Sequence, residues 1–186
     1  MAEPTVDVAF ICTGNRFRSP LAAALFSAEA DGLPVRASSL GVLDLGPVDA
    51  LAEAVTIGRS LGVDLSGHQT RCLRQVDLEP LDLIVGFEWA HVQAAIVAGR
   101  APIERTFTLP ELVGLLRDLP ESEPEATPAE NVRARVQQAH ELRPAGFMTR
   151  RPPEIPDPLG KPSSTQKRIA DDVRELVTEL AQRLFR

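Results

Sequence analysis

Hydrophobic positions along this chain switch between two periods. Residues 5–11 (TVDVAFI) form an apolar, β-branched run that predicts a buried strand, broken by the turn-forming cluster Cys-Thr-Gly-Asn. Pro20 suits the first turn of a helix, and LAAALFSAEA continues at helical spacing toward Gly32. Residues 35–39 predict a second strand, and Pro47 opens a helix ending near Gly58 to Gly62. Residues 81–85 (LDLIV) predict a third strand, and residues 89–98 a helix ended by Gly99. A fourth strand is expected at 103–107, with Pro110 near the start of the next helix. Over residues 163–184, Ile169, Val173, Leu176, Val177 and Leu180 fall at helical spacing. Residues 118–130 (DLPESEPEATPAE) are Pro- and Glu-rich without a period, which predicts a mobile surface loop. Residues 131–142 suit a short charged helix, and residues 143–156, with four prolines, a loop.

Strands alternating with helices imply right-handed βαβ units and a parallel sheet covered on both faces. The expected fold is α/β: a small doubly wound, flavodoxin-like domain over residues 1–186, with four parallel strands. Active sites in such sheets lie beyond the carboxyl ends of the strands, at the topological switch point. The loop after the first strand is therefore the first candidate.

Composition narrows the function classes. The 186 residues are 44% hydrophobic and 25% charged, with a formal net charge of -6. That excludes a disordered chain, and no apolar run approaches the roughly 18 residues a membrane span needs. The acidic balance argues against a nucleic-acid partner held by phosphate neutralisation. Cys12 and Cys72 are too few for a disulfide scaffold, and no signal peptide is expected at the N-terminus, so the expected setting is cytoplasmic, with no membrane partner. Eighteen of the twenty basic residues are arginine, a skew that fits a GC-rich genome and carries no mechanistic weight. Tyrosine is absent and aromatics make up 4%, which predicts a core packed from aliphatic side chains.

The loop Cys12-Thr13-Gly14-Asn15-Arg16-Phe17-Arg18-Ser19-Pro20 carries the candidate chemistry. A cysteine and an arginine six positions apart are weak evidence alone. Their placement between a strand end and a helix-opening proline is more specific. It bends successive amides around one point at a helix N-terminus and makes an anion cradle, to which Arg18 adds a bidentate fork. The same surroundings lower a thiol pKa from about 8.5 into the range of roughly 3.5–7.5. A Cys12 thiolate beneath bound phosphate is then set for in-line attack, with Ser19 able to donate a hydrogen bond to the sulfur as it leaves. The competing account of Cys12 is a buried structural cysteine.

Four segments in this order, CTGNRFRSP, GVDLSGHQTR (62–71), LDLIVGFEWAH (81–91) and IPDP (155–158), make the chain resemble the low-molecular-weight protein tyrosine phosphatase family. That family shares its fold with thioredoxin-coupled arsenate reductases. The resemblance implies that Cys12 forms a phosphocysteine intermediate. Arg18 and the amides of Thr13, Gly14, Asn15, Arg16, Phe17 and Arg18 would hold phosphate oxygens. Asp157 would act as general acid and then as base, although an Asp between prolines is by itself more often a turn residue. Asn15, Ser19, Ser39 and His68 would support the loop, while His68 fits a surface turn equally well. Arg71 is read as structural. No cofactor or metal is implied: His68, His91 and His140 lack ligand-like spacing with the cysteines.

Four positions depart from the family pattern. Phe17 stands where many members carry a second cysteine, and Cys72 reads as a small buried residue, which disfavours a thiol-relay arsenate reductase. Arg16 stands where the family often has an apolar residue and phosphoarginine-selective members have Thr. It would attract acidic substrates or obstruct an arginine-like leaving group, if it is more than a solvated charge. Leu159 and Gly160 follow the IPDP segment where tyrosine-specific members usually present aromatics, leaving Arg16, Phe17, Leu43, Leu45, Trp89 and Leu159 as candidates for the substrate rim. The expected activity is phosphomonoester hydrolysis that releases inorganic phosphate, with phosphotyrosine in a protein as substrate. Phosphoarginine, a small phosphomonoester, or a non-catalytic phosphate-binding role are alternatives. The joint presence of Cys12, Arg18 and Asp157 argues against the last.

Overall fold

Alternation along the first strand decides the layering. In β1 (Val6–Cys12), Val6, Val8, Phe10 and Cys12 enter the larger core, whereas Ala9 and Ile11 point into a smaller one on the opposite face. The computed structural model describes residues 5–120 and 127–185. β1 pairs in parallel with β2 (Val35–Gly41) on one side and β3 (Leu83–Gly86) on the other, and β4 (Thr106–Thr108) lies beyond β3. The order β2-β1-β3-β4 puts the switch point at the carboxyl end of β1.

Among the described residues six α-helices cover the sheet: α1 (Arg18–Glu29), α2 (Ala52–Ser60), α3 (Trp89–Gly99), α4 (Leu109–Arg117), α5 (Pro128–Glu141) and α6 (Ser163–Phe185). The long α6 buries Ile169, Val173, Val177 and Leu180 of the predicted stripe, together with Leu184, in the larger core with α1, α4 and α5, while Leu176 is only half-buried against it. Ala95 of α3 packs with Leu73, Leu78 and Ile84 on the other face. The doubly wound parallel sheet is thus as expected. Among the described residues no helix is long and apolar enough to cross a membrane.

Several boundaries moved for identifiable reasons. Pro47 does not open a helix. Asp49 forms an antiparallel bridge with Gln69, Thr70 N–H donates to the Val48 carbonyl (2.9 Å) and Val48 N–H to Thr70 Oγ1 (3.0 Å), so α2 starts only at Ala52. The expected strand at 103–107 begins as a 3-10 turn (Ile103–Arg105) and leaves three residues for β4. Helix α3 reverses at Arg100, which takes the left-handed conformation (φ 56°), and Gly99 is needed for space instead. A Cβ there would meet Leu78 Cδ1 at 2.5 Å.

The loop expected at 118–130 begins where it was placed but ends earlier, because α5 starts at Pro128. Asp118 caps α4, and Thr127 caps α5 through a box in which Glu130 N–H donates to Thr127 Oγ1 (3.3 Å) and Thr127 N–H to the Glu130 carboxylate (3.0 Å). Residues 121–126 of that loop lie outside the described residues. After α5 the chain is fastened by Arg143, whose guanidinium lies between the rings of Phe107 (3.9 Å) and Phe147 (4.4 Å). It donates twice to Glu111 (2.9 and 3.0 Å) and to the carbonyls of Ile103 (3.0 Å) and Thr106 (2.6 Å). This staple ties the proline-rich stretch that follows to the sheet.

Candidate active site

Helices α4 and α5 cap their first amides with a threonine and a glutamate, but α1 has neither a side-chain cap nor an acidic residue in its first turn. Its amides, which lack intrahelical acceptors, are left facing the loop from Cys12. That loop turns through Asn15, held at φ 53°, a left-handed conformation that asparagine tolerates. Asn15 is fully buried and ties the loop down from beneath. Its Nδ2 donates to Ser19 Oγ and Ser39 Oγ (2.9 Å each), its Oδ1 accepts from Arg71 N–H (2.9 Å), and its carbonyl accepts from His68 Nε2 (2.6 Å). Burial pushes the His68 imidazole below its ordinary pKa, which keeps it neutral with the proton on Nε2. Gly41 permits the close approach: a Cβ there would lie 3.0 Å from Asn15 Cβ.

Cys12 Sγ is 3.0 Å from Ser19 Oγ. Because Ser19 already accepts from Asn15, its single proton goes either to the Leu40 carbonyl (3.2 Å) or to the sulfur. Negative charge on sulfur draws it toward Cys12, so the pair can stabilise a thiolate.

Arg18, 1% exposed, connects three segments. Its Nη1 donates to Glu88 Oε2 and to the Ile155 carbonyl (2.8 Å each), and its Nη2 to Asp157 Oδ2 (2.9 Å). Glu88 ends the turn after β3, and three residues on lies His91. The imidazole Nδ1 accepts from the amides of Phe87 (3.2 Å) and Glu88 (3.1 Å), so its proton resides on Nε2, facing Thr13 Oγ1 at 3.0 Å. Burial, with the Arg18 charge adding to it and Asp157 opposing, pushes His91 down to about 3.

Above Cys12 opens a cavity of about 250 Å³. Of the residues singled out in the sequence, Cys12, Thr13, Gly14, Arg16, Phe17, Arg18, Leu43, Leu45, Asp157 and Leu159 line it, joined by Leu51. Four leucines and Phe17 make much of the wall apolar. Leu43, Leu45 and Leu159 are exposed at its mouth, whereas Phe17 is a buried wall residue rather than an open rim. One expectation needs correction. Trp89 is not part of the rim: it is the first residue of α3 and buried, so it presents no face to the mouth. Asn15 directs its side chain into the network below, the loop-supporting place expected of it.

Glu88, His91 and Leu51 were not singled out as site residues from the sequence. For Glu88 and His91 a signal existed: both follow β3, the neighbour of β1, at the carboxyl edge where such sites are built. A thiol, a guanidinium, a carboxylate and a set of free helix amides around one small cavity can bind a tetrahedral dianion, attack it and protonate a leaving group.

The model for the low molecular weight phosphotyrosine protein phosphatase family matches residues 7–141. The chain is 34% identical over 110 residues to a protein-arginine-phosphatase of Bacillus subtilis, spanning 58% of this chain and 73% of that protein. It is 35% identical over 108 residues to a low molecular weight protein-tyrosine-phosphatase of Streptomyces coelicolor, spanning 54% and 63%. Among solved structures, a low molecular weight protein tyrosine phosphatase from T. tengcongensis superposes with a TM-score of 0.70 at 25% identity, covering 96% of this chain and 99% of that one. The YwlE arginine phosphatase, as a cysteine-to-serine variant with its active-site serine phosphorylated, gives 0.69 at 25% identity, covering 96% and 95%.

Proposed function

The chain belongs to the low molecular weight phosphotyrosine protein phosphatase family, and from that premise we propose that it hydrolyses phosphomonoesters through a phosphocysteine on Cys12, with phosphotyrosine in proteins as its substrate. The observation that carries this reading is the convergence of Asp157 on Arg18 (2.9 Å) in the cavity that Cys12 also lines. The Cys12 thiolate attacks phosphorus while Arg18 and the cradle amides hold the equatorial oxygens. The P–O ester bond breaks, and the departing oxygen takes the Asp157 proton. The Asp157 carboxylate then removes a proton from water, which attacks the phosphocysteine. The P–S bond breaks, the sulfur leaves as a thiolate stabilised by Ser19, and inorganic phosphate departs. Cys12 has to stay a free thiol for this, which a reducing compartment such as the cytoplasm maintains.

Phosphotyrosine is favoured over phosphoarginine by the entrance. Arg16 Nε donates to the Asp49 carbonyl (2.9 Å), which anchors its guanidinium at the cavity wall. A phosphoarginine would bring a second guanidinium to that wall, whereas an aryl leaving group meets aliphatic side chains. The likeness to the Bacillus subtilis arginine phosphatase supports phosphoarginine as the second reading. The test is phosphate release from p-nitrophenyl phosphate, a phosphotyrosine peptide and phosphoarginine by wild type and Cys12→Ser. The expected result is turnover with the phosphotyrosine peptide preferred, lost in Cys12→Ser while vanadate still binds. Preference for phosphoarginine would establish the second reading. Vanadate binding without turnover on any substrate would reduce the protein to a binding module.

A further inference from the structure

The segment that delivers Asp157 has no regular structure, and its prolines limit how it can be held. Pro152, Pro153, Pro156 and Pro158 carry no amide hydrogen, so between residues 152 and 158 only Glu154, Ile155 and Asp157 can donate from the backbone. Ile155 N–H spends its donor on the Phe87 carbonyl (2.8 Å), and Thr108 Oγ1 donates to the Pro153 carbonyl (2.9 Å). Ile155 is buried in the larger core, and two polar side chains reach out of the segment. Asp157 meets Arg18, and Glu154 Oε1 accepts the N–H of Trp89, the first residue of α3, at 2.8 Å. That amide has no acceptor within its own helix, and the positive end of the helix dipole favours a carboxylate there.

Phosphate entering the cradle competes for the Nη2 edge of Arg18, which holds Asp157, while the Nη1 edge can stay on Glu88 and Ile155. When the acid is needed its carboxylate has therefore lost its partner on the cradle and keeps only the local Leu159 N–H on Oδ1 (2.9 Å), so its aim depends on how the segment itself is anchored. We propose that Glu154 is a positioning residue for Asp157, its carboxylate clamping the acid-bearing segment to the first turn of α3. The same turn holds Thr13 through His91 and Arg18 through Glu88, so cradle and acid share one rigid reference. The proposal rests on the reading of Asp157 as the general acid.

The experiment measures kcat/KM, which reports phosphoryl transfer to Cys12, for aryl phosphates of graded leaving-group pKa with Glu154→Ala, Glu154→Gln and Asp157→Asn. Glu154→Ala is expected to lose about tenfold on phenyl phosphate, the scale of one hydrogen bond, and roughly twofold or less on p-nitrophenyl phosphate. Vanadate affinity stays unchanged, which also reports an intact fold. Glu154→Gln keeps the Oε1 acceptor and recovers most of the loss, and Asp157→Asn shows the same graded pattern more strongly. If Asp157→Asn is graded but Glu154→Ala is flat across leaving groups or without effect, the clamp is wrong and the acid assignment stands. If Asp157→Asn is itself flat, the acid assignment fails and the clamp falls with it.

Discussion

His91 offers a test that needs no substrate. In the folded protein its Nδ1 takes two amide hydrogens and its ring is 2% exposed, so a second proton would displace those bonds and put a charge beside Arg18. Its folded pKa is pushed down to about 3, while an unfolded chain has the ordinary value of about 6.5. Above about pH 6.5 neither state is protonated and the group contributes nothing to pH dependence. As pH falls below that value the unfolded chain takes up the proton first, and stability is lost at about 1.4 kcal/mol per pH unit down to about pH 3. From about pH 7 to about pH 5 the loss comes to about 2 kcal/mol. His91→Asn keeps an acceptor for the Phe87 and Glu88 amides but does not titrate. Urea unfolding of both proteins across that interval isolates the histidine, because His68 and the carboxylates titrate in each and cancel in the difference. With a slope of roughly 2 kcal/mol per molar urea, the wild-type midpoint should fall about 1 M further than that of the variant. Parallel midpoints would refute the argument and mean that His91 accepts a proton in the fold at little cost.

Arg16→Ala should raise kcat/KM on phosphoarginine relative to the phosphotyrosine peptide by roughly fivefold, the scale of one half-exposed like-charge contact, and should blunt the salt dependence on acidic phosphopeptides. An unchanged ratio would remove Arg16 from selectivity. Arg143→Met strips Glu111 and two carbonyls of their donor and should cost about 3–5 kcal/mol in thermal or urea unfolding. Pairing it with Glu111→Gln should recover part of that loss. Arg143→Met with wild-type stability would show that the staple is dispensable.

Strand, turn and helix were legible around Cys12 because the thiol, the cradle amides, Arg18 and Ser19 come from eight consecutive residues. Within so short a stretch, bond geometry and one helix N-terminus leave few arrangements. The alternation in β1 that sends Phe10 and Ile11 to opposite cores was likewise local. Where partners were distant, local pattern misled: Pro47 reads as a helix start until the Asp49–Gln69 bridge is seen, and Thr127 reads as loop although it caps α5.

Asp157 marks the boundary between the two kinds of information. It lies 139 positions from Arg18 and beyond residue 141, where the family match ends. It was singled out as a candidate from the IPDP segment, but its arrival at the cavity depends on contacts no periodicity encodes. These are the Arg143 staple, the Ile155–Phe87 hydrogen bond and Glu154 on α3. The same packing buries Trp89 and brings Glu88 and His91 against Arg18 and Thr13. By itself the sequence determined which groups are candidates for the chemistry and how the loop from Cys12 to Ser19 turns, because those are short-range matters of residue type and backbone geometry. The tertiary structure alone decided which carboxylates face the guanidinium and what walls the entrance, because those depend on how separate segments pack against the sheet edge.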